Sequence, residues 1–194
     1  MLGRNPLDPK DAIEIKRRIG VVPENLALFD NLTAREYLTF IGRMHEIPKT
    51  TARDRIDELL TVMTLDSHES KLTTDYSHGM RKKLALAAAL LPDPDLLFLD
   101  EPFEGVDAVA SKVIRQMLES YVARGSTVFL TSHVMEIVER ICTHIAVIAK
   151  GTLVQQTSIE QLKEGDSLED SFHRIIGNDS DQGKGLSWLE EKVA

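Results

Sequence analysis

The sequence predicts an α/β fold in which a parallel sheet is flanked by helices. Three short apolar segments, residues 96–99, 127–130 and 145–148, alternate with helical patterns at residues 110–123 and 135–142. Strands that alternate with helices are typical of a parallel sheet. The chain has 194 residues, of which 42% are hydrophobic, so it is long enough for one domain with its own core.

The first third of the chain predicts one strand followed by helices. Residues 19–23 form an apolar run closed by a proline, which indicates a buried strand that ends abruptly. Apolar residues then follow helical spacing over residues 33–65, with a break at Pro48. Thr51 and Asp54 resemble a capping box, which would help to fix the start of the second of these helices.

An alanine-rich helix is predicted next, from about residue 80 to residue 90. Its body reads LALAAALL, which is narrow enough to pack tightly against other elements, and Pro92 and Pro94 end it. Towards the end of the chain the pattern weakens. An amphipathic segment is predicted at residues 168–176, followed by a stretch rich in Gly, Asp and Ser that is typical of a linker.

Charge, cysteine content and hydropathy exclude several classes of protein. The formal net charge of -8 repels phosphate backbones, so no nucleic-acid partner is expected. Cys142 is the single cysteine, which excludes an intrachain disulfide or a multi-cysteine zinc site and favours a reducing compartment. The longest apolar run, residues 84–91, is too short for a bilayer span of about 20 residues. No transmembrane segment is therefore predicted.

Two acids follow directly on the strand at residues 96–99. The carboxyl ends of strands in an open parallel sheet border the ligand crevice, so Asp100 and Glu101 can face a metal and a water there. Carboxylate oxygens suit Mg²⁺, with Asp100 on the metal side and Glu101 on the water side. An acid pair after a strand can equally cap the next helix, and the residues alone leave that alternative open.

Three further polar positions are candidates for contacts with phosphate. The strand at residues 127–130 leads to His133, whose imidazole could donate to a phosphate oxygen. Ser77 and Gly79 stand at a helix N-terminus, where backbone N–H groups attract an anion. Taken singly, a histidine at a strand end is more often a surface or core residue, and a serine is an ordinary N-cap.

Five short motifs occur in order along the chain. They read IGVVPE, YSHGMRKKLALAAALL, LLFLDEP, EGVD and TSH. Together they resemble the Q-loop, signature, Walker B, D-loop and H-loop motifs of ATP-binding cassette (ABC) ATPases, over roughly residues 1–155. Their order and usual spacings are very hard to obtain by chance.

The resemblance implies a P-loop NTPase-like fold and a role for each motif residue. By the resemblance, Glu101 is the general base for the attacking water and Asp100 is the Walker B acid that helps to hold Mg²⁺. His133 matches the switch histidine that touches the γ-phosphate of ATP. Asp107 matches the D-loop acid that communicates across a dimer.

The remaining motif residues match the family less closely. Ser77 and Gly79 would bind the γ-phosphate of a nucleotide held by the opposite subunit, although His78 and Met80 depart from the usual signature. Glu24 stands where many members have glutamine, in a position that couples metal and water to the membrane subunit. Its contact with Mg²⁺ is an expectation from that position.

The phosphate-binding (Walker A) loop is absent from this sequence. No GxxxxGK[ST] pattern occurs, so the backbone cradle and lysine for the β- and γ-phosphates are missing. By the resemblance, the chain is expected to lack the first strands of the sheet and to bind ATP poorly alone. The Walker A strand of the family lies between those matching residues 127–130 and 145–148, so a marginally stable or aggregation-prone product is expected.

The resemblance also implies an organisation, partners and a location. A partial ABC ATPase domain is expected at residues 1–156, with a helical subdomain at about residues 33–91 and a C-terminal extension at residues 157–194. The expected partners are a transmembrane permease and a second ATPase subunit, in a homodimer or heterodimer. The chain would energise an exporter from the cytoplasmic face of the plasma membrane. The alternative is a non-catalytic fragment or partner that lends its signature motif to another subunit.

Overall fold

A three-stranded parallel sheet organises the first part of the chain. The structure is a computed structural model that describes residues 1–163. The strands lie side by side in chain order, with Val22 opposite Leu99 and Leu99 opposite Leu130. The carboxyl ends of the second and third strands are therefore neighbours. The strands are β1 (Ile19–Val22), β2 (Leu96–Asp100) and β3 (Thr127–Thr131).

Five helices accompany this sheet in the first part of the described chain. They are α1 (Pro9–Arg17), α2 (Ala34–Met44), α3 (Lys49–Val62), α4 (His78–Leu90) and α5 (Ala108–Ala123). Helix α1 was not predicted from the sequence. It begins after Asp8, an N-cap that accepts hydrogen bonds from the backbone N–H groups of Lys10 and Asp11. The predicted α/β architecture is confirmed.

The start of α3 differs from the prediction. The helix begins at Lys49, directly after Pro48, and no side chain caps it. The capping box predicted at Thr51 and Asp54 is therefore wrong, because both residues already lie inside the helix. The capping box of this region belongs to α2, where Thr33 and Glu36 exchange side-chain and backbone hydrogen bonds.

The core lies between α4 and one face of the sheet. Leu97 of β2 is fully buried, and residues 82–90 of α4 are all buried. A Cβ atom on Gly20 of β1 would lie 2.5 Å from the carbonyl oxygen of Ala89. Only a glycine permits so close an approach of strand and helix. The tight packing predicted for the alanine-rich helix is confirmed.

The opposite face of the sheet carries an apolar row. Val21, Phe98 and Phe129 stand next to one another across the three strands. Val21 is 55% exposed and Phe129 is 52% exposed. Within the described part of the chain, β3 pairs with β2 alone. This unit therefore presents an apolar face and an open strand edge.

The described residues after His133 form a second compact unit. Here β4 (His144–Ala149) pairs antiparallel with β5 (Thr152–Ser158), through a two-residue connection in which Lys150 and Gly151 both have positive φ. Two-residue hairpin turns favour this backbone. The parallel arrangement predicted for residues 145–148 is therefore wrong, and β5 is an additional strand. The elements are α6 (Met135–Ile141), β4 (His144–Ala149), β5 (Thr152–Ser158) and α7 (Ile159–Lys163).

Some of the expectations from sequence are not tested by the described residues. The amphipathic segment and the linker predicted beyond residue 167 lie outside them. The boundary expected after residue 156 and the helical subdomain at residues 33–91 stay predictions. Within residues 1–163, no helix combines the length and the apolar character needed to cross a bilayer.

Candidate functional site

The carboxyl ends of β2 and β3 bring two acids and a threonine together. Asp100 and Thr131 are paired in register as the last residues of their strands. The Thr131 hydroxyl donates a hydrogen bond to the Asp100 carboxylate and accepts one from the backbone N–H of Glu101 at 3.4 Å. Thr131 thus links the Asp100 carboxylate to the backbone of Glu101. It was not predicted as a site residue, because a threonine at a strand end carries no signal until the register is known.

Glu101 and His133 form a direct contact at this edge. Oε1 of Glu101 accepts a hydrogen bond from the backbone N–H of His133 at 2.9 Å and lies 2.9 Å from Nδ1 of its ring. The Glu101 side chain is 18% exposed and that of His133 is 72% exposed. The acid is thus sheltered, whereas the imidazole is accessible to a ligand.

The contact with Glu101 changes the protonation of His133. The hydrogen bond from the ring to the Glu101 carboxylate, followed by the Coulombic attraction of the same group, raises the pKa of His133. An imidazole that keeps its proton is a better donor to a phosphate oxygen.

The backbone of Glu101 is strained. Its φ is +44°, in the left-handed region that non-glycine residues rarely adopt. Such a conformation typically costs about 1–3 kcal/mol and persists where surrounding contacts hold it. At this turn the two adjacent carboxylates have different partners, Thr131 for Asp100 and His133 for Glu101.

The predicted signature residues lie at the start of α4. Ser77 is its N-cap, and its Oγ accepts a hydrogen bond from the backbone N–H of Met80 at 3.3 Å. A Cβ atom on Gly79 would lie 2.7 Å from the carbonyl oxygen of Gly105. Gly105 itself has a φ of +69° and packs against the His78 ring. The signature segment therefore packs directly against the segment that carries Asp107.

Asp107 is the N-cap of α5. Its carboxylate accepts hydrogen bonds from the backbone N–H groups of Val109 and Ala110, at 3.0 and 2.9 Å. The bond from Ala110 is the main reason that the pKa of Asp107 is lowered. Oδ2 also lies 3.9 Å from Nζ of Lys83. Asp107 thus caps α5, and its role across a dimer stays a prediction.

Glu24 stands apart from these groups. It is exposed, two residues beyond the end of β1, and residues 1–163 provide no hydrogen-bond or ion-pair partner for its side chain. Nor do the described residues contain a cluster of three or more His, Cys, Asp or Glu side chains that could enclose a metal ion. Structure therefore joins Asp100, Glu101 and His133, but not Glu24.

The donor groups fit one end of a magnesium nucleotide. Asp100 and Glu101 offer carboxylate oxygens, which suit Mg²⁺ and water, and His133 offers a ring donor for a phosphate oxygen. The sequence has no GxxxxGK[ST] loop to cradle the other phosphates. The residues present thus fit the metal and terminal phosphate, not the whole triphosphate.

Comparisons with known proteins identify the family of the chain. A family model described as ABC transporter matches residues 1–104. The chain is 35% identical over 181 residues to an uncharacterized ABC transporter ATP-binding protein of Nostoc sp., covering 92% of this chain and 53% of that protein. It is 37% identical over 166 residues to a Nod factor export ATP-binding protein I of Cupriavidus metallidurans, covering 84% of this chain and 53% of that protein.

A solved structure shares the fold. The ATP-binding subunit of an ABC transporter superposes with a TM-score of 0.83 at 23% identity, covering 90% of this chain and 74% of that one. The chain spans about half the length of the two relatives in sequence. The family model covers more than half of the chain, and the chain therefore belongs to the ABC transporter family.

Proposed function

We propose that this chain is the ATP-binding and ATP-hydrolysing subunit of a membrane ABC exporter. The observation that carries the proposal is the contact of Glu101 with His133, beside Asp100, at the carboxyl edge of the parallel sheet. Ligands bind at this edge in open α/β sheets. Family membership supports the ATP-binding role, and the export role rests on the name of the Nod factor relative.

Each acid has its own task in this proposal. Glu101 accepts a proton from the attacking water, and its contact with His133 keeps the carboxylate oriented. Asp100, with Glu24 as a second candidate, holds Mg²⁺. When bound, Mg²⁺ supplies positive charge against the phosphate oxygens. His133 donates a ring N–H to the terminal phosphate.

The other motif residues act across a dimer interface in the proposal. Ser77 and Gly79 contact the γ-phosphate of a nucleotide held by a second ATPase subunit, and Asp107 relays the state of that site. The packing of Gly79 against Gly105 supports a coupled movement of the two segments. The second subunit can be another copy or a different chain, and a transmembrane permease is the third component. The proposed location is the cytoplasmic face of the plasma membrane.

The chain alone is proposed to bind ATP poorly, because its sequence contains no phosphate-binding loop. Binding of a fluorescent ATP analogue by the isolated chain tests this, with and without Mg²⁺ and with Asp100→Asn alongside. We expect weak binding that Mg²⁺ strengthens in the wild type only. Tight binding by the isolated chain, unaffected by Asp100→Asn, would contradict the assignment.

A second candidate function is a partner that does not itself hydrolyse ATP. The observation that favours it is that contacts within this chain hold the signature residues: Ser77 caps α4, and Gly79 packs against Gly105. The chain would then lend this loop to a nucleotide held by an intact subunit. Mixing the chain with such a subunit should raise ATPase activity, and Ser77→Arg should abolish the gain. A gain that needs Glu101 as well would favour the first function instead.

A further inference from the structure

Lys82 is a lysine in the core of the protein. It lies on α4 and is 1% exposed, which makes it one of the largest fully buried side chains in the described part of the chain. Buried polar groups need hydrogen-bond partners, because leaving them unpaired is costly. Nζ of Lys82 donates to the backbone carbonyl oxygen of Asp100 at 3.4 Å. The side chain thus links the signature helix to the end of β2.

The carbonyl that Lys82 contacts belongs to the peptide bond between Asp100 and Glu101. The N–H of the same peptide donates to Oγ1 of Thr131 at 3.4 Å. One peptide is therefore held on both sides, by α4 through its carbonyl and by β3 through its N–H. Both bonds are long, so each is individually weak. Together they limit rotation of the peptide plane.

This peptide precedes the strained residue of the site. The φ of +44° at Glu101 is the rotation about its N–Cα bond. It relates the plane of the preceding peptide to the direction of the Glu101 side chain, so the orientation of that plane decides where the carboxylate points. In the observed orientation, Oε1 of Glu101 contacts the backbone nitrogen and the ring Nδ1 of His133. Releasing the carbonyl would let the turn relax toward a more common backbone conformation and withdraw the carboxylate.

We propose that Lys82 is a positioning residue for Glu101. The inference rests on the proposed role of Glu101 as the base. Lys82 holds the Asp100–Glu101 peptide in the orientation that directs the carboxylate to His133. It stands five residues after Ser77 on the same helix, so it also ties the position of the signature segment to that of the acid.

Lys83 provides a matched comparison. It is adjacent on α4 and also buried, at 9% exposure, but its Nζ donates to Oγ1 of Thr64 and lies near Asp107 instead. Lys83→Met therefore removes a buried lysine without touching the Asp100 carbonyl. Lys82→Met removes the donor and keeps most of the volume, whereas Lys82→Arg keeps a donor at the end of a long chain.

Hydrogen exchange of the nucleotide-free chain tests the inference without depending on ATPase activity. In Lys82→Met we expect amide exchange within residues 101–103, where Glu101 and Phe103 carry the exchangeable N–H groups, to rise roughly three- to tenfold, which corresponds to the loss of about one hydrogen bond. Residues 84–90 of α4 should exchange as in the wild type. Lys82→Arg should stay close to the wild type, and Lys83→Met should not affect residues 101–103. If the methionine variant does not fold, Lys82→Gln replaces it, because the glutamine side chain is too short to reach the Asp100 carbonyl oxygen.

Two exchange results would overturn the inference. One is unchanged exchange of residues 101–103 in Lys82→Met. The other is equal acceleration throughout α4 and β2, which would mean that Lys82 only contributes to packing.

Kinetics provide the second readout, in the ATP-hydrolysing assembly of the chain with its partners. Lys82→Met should lower kcat roughly three- to tenfold with an unchanged KM for ATP, and Lys82→Arg should restore most of the rate. Equal losses in both variants, or a loss confined to KM, would overturn the inference. If Glu101→Gln hydrolyses ATP normally, the proposed base is wrong, whereas the exchange result for Lys82 is unaffected.

Discussion

Oε1 of Glu101 lies 2.9 Å from both the backbone nitrogen and Nδ1 of His133, which follows it by 32 residues in the chain. The parallel pairing of β2 with β3 produces this contact, because both residues continue from strand ends that are in register. A carboxylate held by two donors of one residue has a defined orientation. The contact therefore links the fold of the sheet to the proposed chemistry.

The pH dependence of His133 is the first prediction. Its folded pKa is raised above the ordinary value of 6.5 by Glu101, so the protonated ring stabilises the folded state. This contribution is fully present below the unfolded pKa and is lost as pH rises through the folded pKa. NMR titration of the His133 ring should give a value above 6.5 that falls in Glu101→Gln. Glu104→Gln, which removes a weaker Coulombic influence, should lower it less. A value at or below 6.5 in the wild type would refute the prediction.

The ion pairs of Arg35 with two acids, named here the Arg35 cluster, should stabilise the helical region. Arg35 of α2 donates to Glu69 through two nitrogens and to Asp57 of α3 through a third. These groups are partly exposed, so we expect Arg35→Met to lower the free energy of unfolding by about 0.5–1.5 kcal/mol. Arg53 is the control, because within residues 1–163 it pairs only with the adjacent, exposed Asp54. Arg53→Met should change the free energy of unfolding by less than about 0.5 kcal/mol. Urea denaturation measures both. Equal effects would show that the Arg35 cluster has no special role.

Gly79 should not accept a side chain. In Gly79→Ala the new Cβ would stand 2.7 Å from the Gly105 carbonyl oxygen, which is backbone and must shift with its segment. We expect the free energy of unfolding to fall by about 1–3 kcal/mol. Ser70→Ala, at an exposed position before α4, should change it by less than about 0.5 kcal/mol. A Gly79→Ala protein as stable as the wild type would mean that this contact relaxes freely.

The apolar row on the sheet should make the isolated chain prone to aggregation. Val21 and Phe129 are about half exposed on one face, next to the open edge of β3. Phe129→Thr keeps a β-branched residue in the strand and reduces this apolar surface. Light scattering at a fixed concentration should therefore fall in this variant. Cooperative thermal unfolding of a soluble wild-type monomer, with no scattering, would contradict the prediction.

The sequence predicted the three parallel strands β1, β2 and β3 well, because short apolar runs that alternate with helical patterns are typical of a parallel sheet. It also predicted that Asp100, Glu101 and His133 share one edge, since their strands end there. The local backbone geometry could not be predicted from the sequence. The antiparallel return of β5 depends on two residues with positive φ at Lys150 and Gly151.

The contacts of Thr131 and Lys82 likewise could not be predicted from the sequence, because they depend on the tertiary structure. Each contacts a group that is distant in the chain, through register or helix packing. A threonine at a strand end and a lysine on a helix have many common roles, and only the position of the partner selects one. Side chains that support a site are for this reason harder to identify from sequence than those that follow a recognisable motif.

The most direct test of the account is ATP hydrolysis by this chain assembled with the proposed permease and ATPase partner, comparing Glu101→Gln with Glu119→Gln. Both variants replace an acid by its amide, but Glu101 contacts His133, whereas Glu119 is exposed on α5 and pairs with Arg115 of the same helix. We expect Glu101→Gln to lower kcat by about 10²- to 10⁴-fold and Glu119→Gln to leave it near the wild-type value. Wild-type hydrolysis by Glu101→Gln, or equal losses in the two variants, would contradict the assignment of Glu101 as the base.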